Sequence, residues 1–180
     1  MIHFYKPNAR NAGAACSFYL NKSDESFFAT ILKQATWDDK KRRATFDKKS
    51  QIVVKLSKQE VADFIHAIES KASLSAYHQS RDNITKFNFT FSEKNDKSGF
   101  YFSVTQEPKD DSTQKASISV PLYTNEACLL RKHLEFLLDQ FFELDDAKYE
   151  VKQQEYKAQQ ADQSHAPPQA VEGQAEEDPW

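Results

Sequence analysis

The chain has 180 residues, 39% of them hydrophobic and 13% aromatic, with a net charge of −3, enough material for one domain of moderate size with a substantial core. No apolar run approaches membrane-spanning length and the opening MIHFYKPNAR lacks the apolar core of a signal peptide, so a membrane protein and an exported protein are set aside and a cytoplasmic one is expected. Charge is divided unevenly: up to Leu144, Lys and Arg number 21 against 18 acids, whereas Asp145–Trp180 carries 3 against 9, the asymmetry of a polyanion-binding body with an acidic interaction tail.

A first strand is expected near residues 2–6. It is followed by CSFYLN (16–21) and SFFATILKQ (26–34), where Cys16, Phe18 and Leu20 alternate with Ser17 and Tyr19, and Phe27, Ala29 and Ile31 alternate with Phe28 and Thr30. A period of two marks half-buried antiparallel strands, and NKSDES between them reads as a hairpin turn. Next comes WDDKKRRATFDKK, in which six of the ten residues 40–49 are basic. IVVKL (52–56) then runs into a helix opened by Ser57 and Glu60, the spacing of a capping box. Val61, Phe64, Ile65 and Ile68 give that helix one apolar stripe.

The same grammar returns in the second half. A strand near 75–79 precedes FNFTFS (87–92) and GFYFSVTQ (99–106), which are joined by a turn where Gly99 is available for positive φ. ISVPLYTNEACLLRKHL then repeats the strand-into-helix unit, with Ile118, Val120, Leu122, Glu126, Ala127, Leu130 and Leu134 matching Ile52, Val54, Leu56, Glu60, Val61, Phe64 and Ile68. The fold class expected is α+β: two tandem ββββα repeats, about 1–72 and 73–144, forming antiparallel sheets with two helices in a domain over 1–144. Residues 145–180 are polar, rich in Gln and Ala and finally Pro- and Gly-bearing, so a flexible, disordered acidic tail is expected there. Pro167 and Pro168 end any helix that persists past Leu144.

Catalytic chemistry finds little footing. His3, His66, His78, His133 and His165 are scattered, and the pairs Asp110–Asp111 and Asp145–Asp146 sit beside turn residues without a base or nucleophile. Cys16 and Cys128 read as small buried hydrophobes. Three glycines in the whole chain leave no phosphate-cradling loop. No catalytic residue, metal site or cofactor is expected, and the protein is read as a non-enzyme. The aromatic and basic residues point elsewhere. Alternation turns Tyr19, Phe28, Thr30, Tyr101 and Ser103 outward, while Lys33, Trp37, Lys40, Lys41, Arg42 and Arg43 continue from one strand and Lys86 lies in another. A face of rings edged by cations suits a single-stranded nucleic acid, because bases stack on rings for about 1–3 kcal/mol each while cations follow the phosphates.

The order of these elements over about Phe4–Leu144, with WDDKKRR before IVVKLSKQEVADFI, then GFYFSVTQ and ISVPLYTNEACLLRKHLEFLL, resembles the Whirly family of single-stranded DNA-binding proteins and the related fold of the transcriptional coactivator positive cofactor four. The resemblance implies two four-stranded sheets, each followed by a helix, that bind single-stranded DNA along the strands with little sequence preference. The KGKAAL segment of plant members is absent, with KPNARNAGAACSF in its place, so their higher-order assembly is not carried over. The end of the chain, Glu176, Glu177, Asp178, Pro179 and Trp180, resembles the acidic C-terminal tip of bacterial and phage single-stranded DNA-binding proteins. It implies recruitment of replication or recombination partners, in a bacterial cytoplasm or a phage-infected host. A transcription or RNA-binding regulator on the same fold and a protein-interaction scaffold are the alternatives, and homo-oligomerisation stays open.

Overall fold

The computed structural model of the chain describes residues 1–94, 97–111 and 113–164. The chain divides into two units, Met1–Phe142 and Glu143–Trp180. In the first, strands β1 (Ile2–Lys6), β2 (Ala14–Asn21), β3 (Ser26–Asp38), β4 (Arg43–Phe46) and β5 (Ile52–Leu56) lead into helix α1 (Lys58–Ser70). Strands β6 (Leu74–Gln79), β7 (Asn83–Lys94), β8 (Lys97–Pro108) and β9 (Ala116–Tyr123) then lead into helix α2 (Thr124–Ser164). All strand pairs are antiparallel, in a first sheet ordered β1-β2-β3-β5 and a second ordered β6-β7-β8-β9. The expected α+β class and two-sheet, two-helix plan are therefore found.

The first half differs from a plain four-strand repeat. β3 is 13 residues long, and β5 pairs only with Phe27–Ile31. The outer part, Gln34–Asp38, pairs instead with the additional strand β4. Position 34 explains why the alternation stops being readable there. Gln34 is buried, accepts from the Asn8 amide at 2.9 Å and donates to the Asn8 carbonyl at 2.8 Å, and the strand is irregular between Gln34 and Thr36.

Core formation follows the alternation. Phe18 from β2, Phe64 from α1, and Phe87, Phe89 and Phe102 from the second sheet are fully buried. Phe18 meets Phe64 at 5.6 Å and Phe102 at 5.3 Å between ring centroids, so the inner faces of both sheets share one cluster with α1. Burying such a ring contributes about 1.5–3 kcal/mol. α1 starts as its sequence dictates: the Ser57 hydroxyl accepts from the Glu60 amide and the Glu60 carboxylate accepts from the Ser57 amide. Gly99 has no positive φ. A Cβ there would come within 2.4 Å of the Leu122 carbonyl oxygen, so close approach of β9 is what requires glycine.

In the second unit, the segment expected to be flexible from Asp145 onward continues as helix to Ser164. Its Ala, Gln, Glu and Lys are good helix formers with no Gly or Pro before Pro167, which offsets its lack of apolar surface. Residues 165–180, including Pro167, Pro168 and the tip, lie outside the described residues.

Candidate nucleic-acid interface

Because the inner faces share the core, strand alternation gives each sheet an outer face. On the first sheet, Tyr19 stands opposite Phe28 and Ser17 opposite Thr30. The Tyr19 and Phe28 rings stack at 5.5 Å and 25°. Tyr5, 59% exposed, packs against Phe46 at 5.5 Å and His3 at 5.8 Å. His3, Tyr5, Tyr19 and Phe46 edge a hollow of about 440 Å³ whose floor includes Ala15, Ser17 and Thr30. Ser17 and Thr30 are buried and bonded hydroxyl to hydroxyl at 2.5 Å. Cys16 lies beneath them, and burial pushes its thiol well above the usual range, which removes it as a nucleophile.

The second sheet repeats this plan with polar residues. One row across its outer face is Tyr77, Lys86, Thr105 and Ser117, and the next is Ser75, Asn88, Ser103 and Ser119. Tyr101 follows, beside Thr90 and Pro121. Tyr77 is 53% and Tyr101 48% exposed. The Lys86 ammonium lies 5.8 Å from the Tyr77 ring centroid and 3.7 Å from a Glu107 carboxylate oxygen. Ser103 and Ser119 are bonded at 2.8 Å. The internal repeat makes Phe28 and Tyr101 equivalent, likewise Thr30 and Ser103, and Tyr5 and Tyr77.

The residues expected to form one face therefore separate into four places. Tyr19, Phe28 and Thr30 belong to the first outer face, with Thr30 buried at its floor. Tyr101, Ser103 and Lys86 belong to the second. Lys33 stands opposite Ala14, in phase with the core-facing Ile31, so it points away from Tyr19 and lines a separate groove of about 230 Å³ with Gln34, Ser117 and Ser119. Trp37, Lys40, Lys41, Arg42 and Arg43 lie on the β3–β4 hairpin. There the Trp37 indole donates to Asp39 at 2.9 Å, and the Lys40 and Lys41 amides donate to Asp38, each at 3.0 Å. Tyr5, Tyr77 and the exposed Tyr123 were not anticipated. Tyr5 was legible as the outward neighbour of Phe4, but SLSAYHQ carries too little apolar alternation to orient Tyr77.

Several other titratable groups make structural contacts. Asp111 is held below the ordinary carboxylate range by the Thr113 hydroxyl and amide, a loop cap. His78 bonds Glu60 at 2.6 Å, and His133 bonds the Phe18 carbonyl at 3.2 Å. Contrary to expectation Cys128 is exposed. Among the described residues no cluster of His, Cys, Asp or Glu has metal-binding geometry, and no helix is long and apolar enough to cross a membrane. Glu176, Glu177, Asp178, Pro179 and Trp180 lie outside the described residues.

Against known proteins, a family model described as Whirly transcription factor matches residues 35–133. The fold is similar to that of WHY1 from Arabidopsis thaliana, with a TM-score of 0.59 and 14% identity over 84% of this chain and 89% of that one. It is also similar to the plant transcriptional regulator PBF-2, at 0.60 and 15% over 83% and 86% of the two chains. For MRP1/MRP2 from Trypanosoma bruciei the values are 0.56 and 17% over 76% and 82%. No curated protein sequence matches the chain.

Proposed function

The chain belongs to the Whirly family, and we propose that it is a non-enzymatic protein that coats single-stranded DNA along the outer faces of its two sheets. The observation that carries this reading is the equivalence of the two faces: each presents exposed or half-exposed rings, Tyr5, Tyr19 and Phe28 on one and Tyr77 and Tyr101 on the other. Stacking on such rings is indifferent to sequence because every base has a π-face. Lys86 on the second face, Lys55 opposite Phe28 and Lys48 at the hollow beside Tyr5 and Tyr19 supply cations for the phosphates. The nucleic-acid-binding body extends to about Leu144. The acidic segment after it carries the tip Glu176–Trp180, which recruits replication or recombination proteins in a bacterial or phage-infected cytoplasm, with Trp180 as anchor and Pro179 restricting the chain before it.

A second reading, a transcription regulator on the same faces, is favoured by the family's description and by the likeness to a plant transcriptional regulator. Titration of the full chain with labelled single-stranded DNA, single-stranded RNA and duplex DNA at several salt concentrations tests both. Preference for single-stranded DNA supports the first. Equal binding of RNA favours a regulator, and binding to none of them refutes both.

A further inference from the structure

Four consecutive cations, Lys40, Lys41, Arg42 and Arg43, stand away from both ring-bearing faces, and the hairpin that carries them has a form of its own. The register of β2 against β3 ends at Ala14 and Lys33, and that of β5 ends at Ile31. Beyond Gln34, therefore, β3 pairs among the described residues with β4 alone. Ala35–Asp38 and Arg43–Phe46 make a two-stranded ribbon, and at about 3.3 Å per residue its free part reaches about 13 Å past the sheet. Ala35, Thr36, Asp38, Arg43 and Thr45 are exposed, so the ribbon is solvated along most of its length. Thr36 and Thr45 tie its strands hydroxyl to hydroxyl at 2.7 Å.

The base of the ribbon is fixed. Gln34 is buried and bonded to Asn8 through both ends of its amide, and its backbone amide donates to the Gly13 carbonyl at 2.8 Å. The tip is fixed too, by the Asp38 carboxylate capping the Lys40 and Lys41 amides and by Arg42 in the left-handed region at φ 48°. Both tip carboxylates are engaged locally, Asp38 by those amides and Asp39 by the Trp37 indole. The four cations have no ion-pair partner among those found in the described residues. A rigid, solvated two-stranded ribbon with a cationic tip matches the major groove of B-form DNA, which is about 12 Å wide and admits such a ribbon.

We infer that the β3–β4 ribbon is a duplex-DNA contact, so that the protein engages the junction where a single strand held on the sheet faces continues into a double helix. The tip cations bind the phosphates flanking the groove, while Thr36 and Thr45 face base edges or sugars. This inference goes beyond single-strand binding but shares its orientation with that reading.

The test compares the full chain with a variant carrying Lys40→Gln, Lys41→Gln, Arg42→Asn and Arg43→Gln. Asn is chosen because it tolerates the left-handed backbone, and an unchanged melting temperature verifies the fold. Three probes are titrated at fixed salt: a thymidine single strand, a blunt duplex, and that duplex with a thymidine overhang. The junction should bind at least about tenfold more tightly than either part, and the variant should lose that advantage while keeping its affinity for the single strand. An advantage that is missing, or that survives in the variant, overturns the inference. So does an equal loss on single strand and junction, because the cations would then serve the single-strand track. Failure of the single strand to bind, with duplex binding that still depends on the four cations, would count against the face reading and leave the ribbon standing.

Discussion

Lys6 and Glu126, separated by 120 residues, form an ion pair at 2.5 Å, and the internal repeat reproduces the contact as a hydrogen bond between His78 and Glu60 at 2.6 Å. In each case a residue at the end of one half's first strand grips the third residue of the other half's helix. Glu126 also accepts from the Tyr123 amide at 2.8 Å, as Glu60 does from Ser57, so the helix-capping carboxylate doubles as the latch between halves. The Lys6 ammonium additionally sits 4.4 Å from the Tyr123 ring centroid.

Glu126→Ala should consequently destabilise the protein by about 2–3 kcal/mol, since it removes a cap and strands a largely buried ammonium. Lys6→Met should cost less, because Glu126 keeps the Tyr123 amide. Denaturant unfolding of both single variants and the double variant gives the coupling. Additive losses would show that the pair contributes nothing beyond its parts.

His133 makes stability depend on acid. Burial, with the nearby N-terminal ammonium, lowers its pKa below 6.5, against the opposing effect of its bond to the Phe18 carbonyl. The folded state thus binds the proton more weakly than the unfolded state. The contribution of neutral His133 is fully present above pH 6.5 and is lost as pH falls through 6.5 toward the lower folded value. His133→Gln, which can still donate to Phe18, should narrow the drop in melting temperature between neutral and mildly acidic buffer. An identical drop in both proteins contradicts this assignment.

Much of the fold was legible because its information is local. Phe87, Phe89, Phe100 and Phe102 declare the second sheet by alternation, and Ser57 with Glu60 declares the start of α1. The ribbon was not legible, because a buried Gln34 looks like an exposed one until its partner Asn8, 26 residues earlier, is known. The single binding face failed for a related reason. Alternation tells that Phe28 and Tyr101 both point outward, and the repeats put them in different halves, but neither tells whether the two outer faces run together. Lys33 was misplaced against the rule itself, since it shares the parity of Ile31. That a helix can run past Leu144 as far as Pro167 was legible from the absence of Gly and Pro, but low hydrophobicity alone did not fix how far it runs.

The acidic tip carries its own expectation. Removing Gly173–Trp180, and with it three of the nine acids after Leu144, should leave affinity for single-stranded DNA unchanged, or slightly raised at low salt, because a tail of net −6 competes with phosphates for a body of +3. Capture of replication proteins should disappear. A truncation that instead unfolds the protein or ends DNA binding would make Trp180 part of the folded body.

The faces themselves are tested most directly by titrating labelled thymidine single strand against three forms: the unaltered chain, Tyr19→Ala with Phe28→Ala, and Tyr77→Ala with Tyr101→Ala. Each pair should weaken binding by about 1–3 kcal/mol per ring lost. Melting temperatures should fall far less than in Phe89→Ala or Phe102→Ala, where an emptied core site costs about 3–5 kcal/mol. Undiminished affinity in both paired variants, in a protein that still binds the strand, would contradict the assignment of either sheet face to single-stranded DNA.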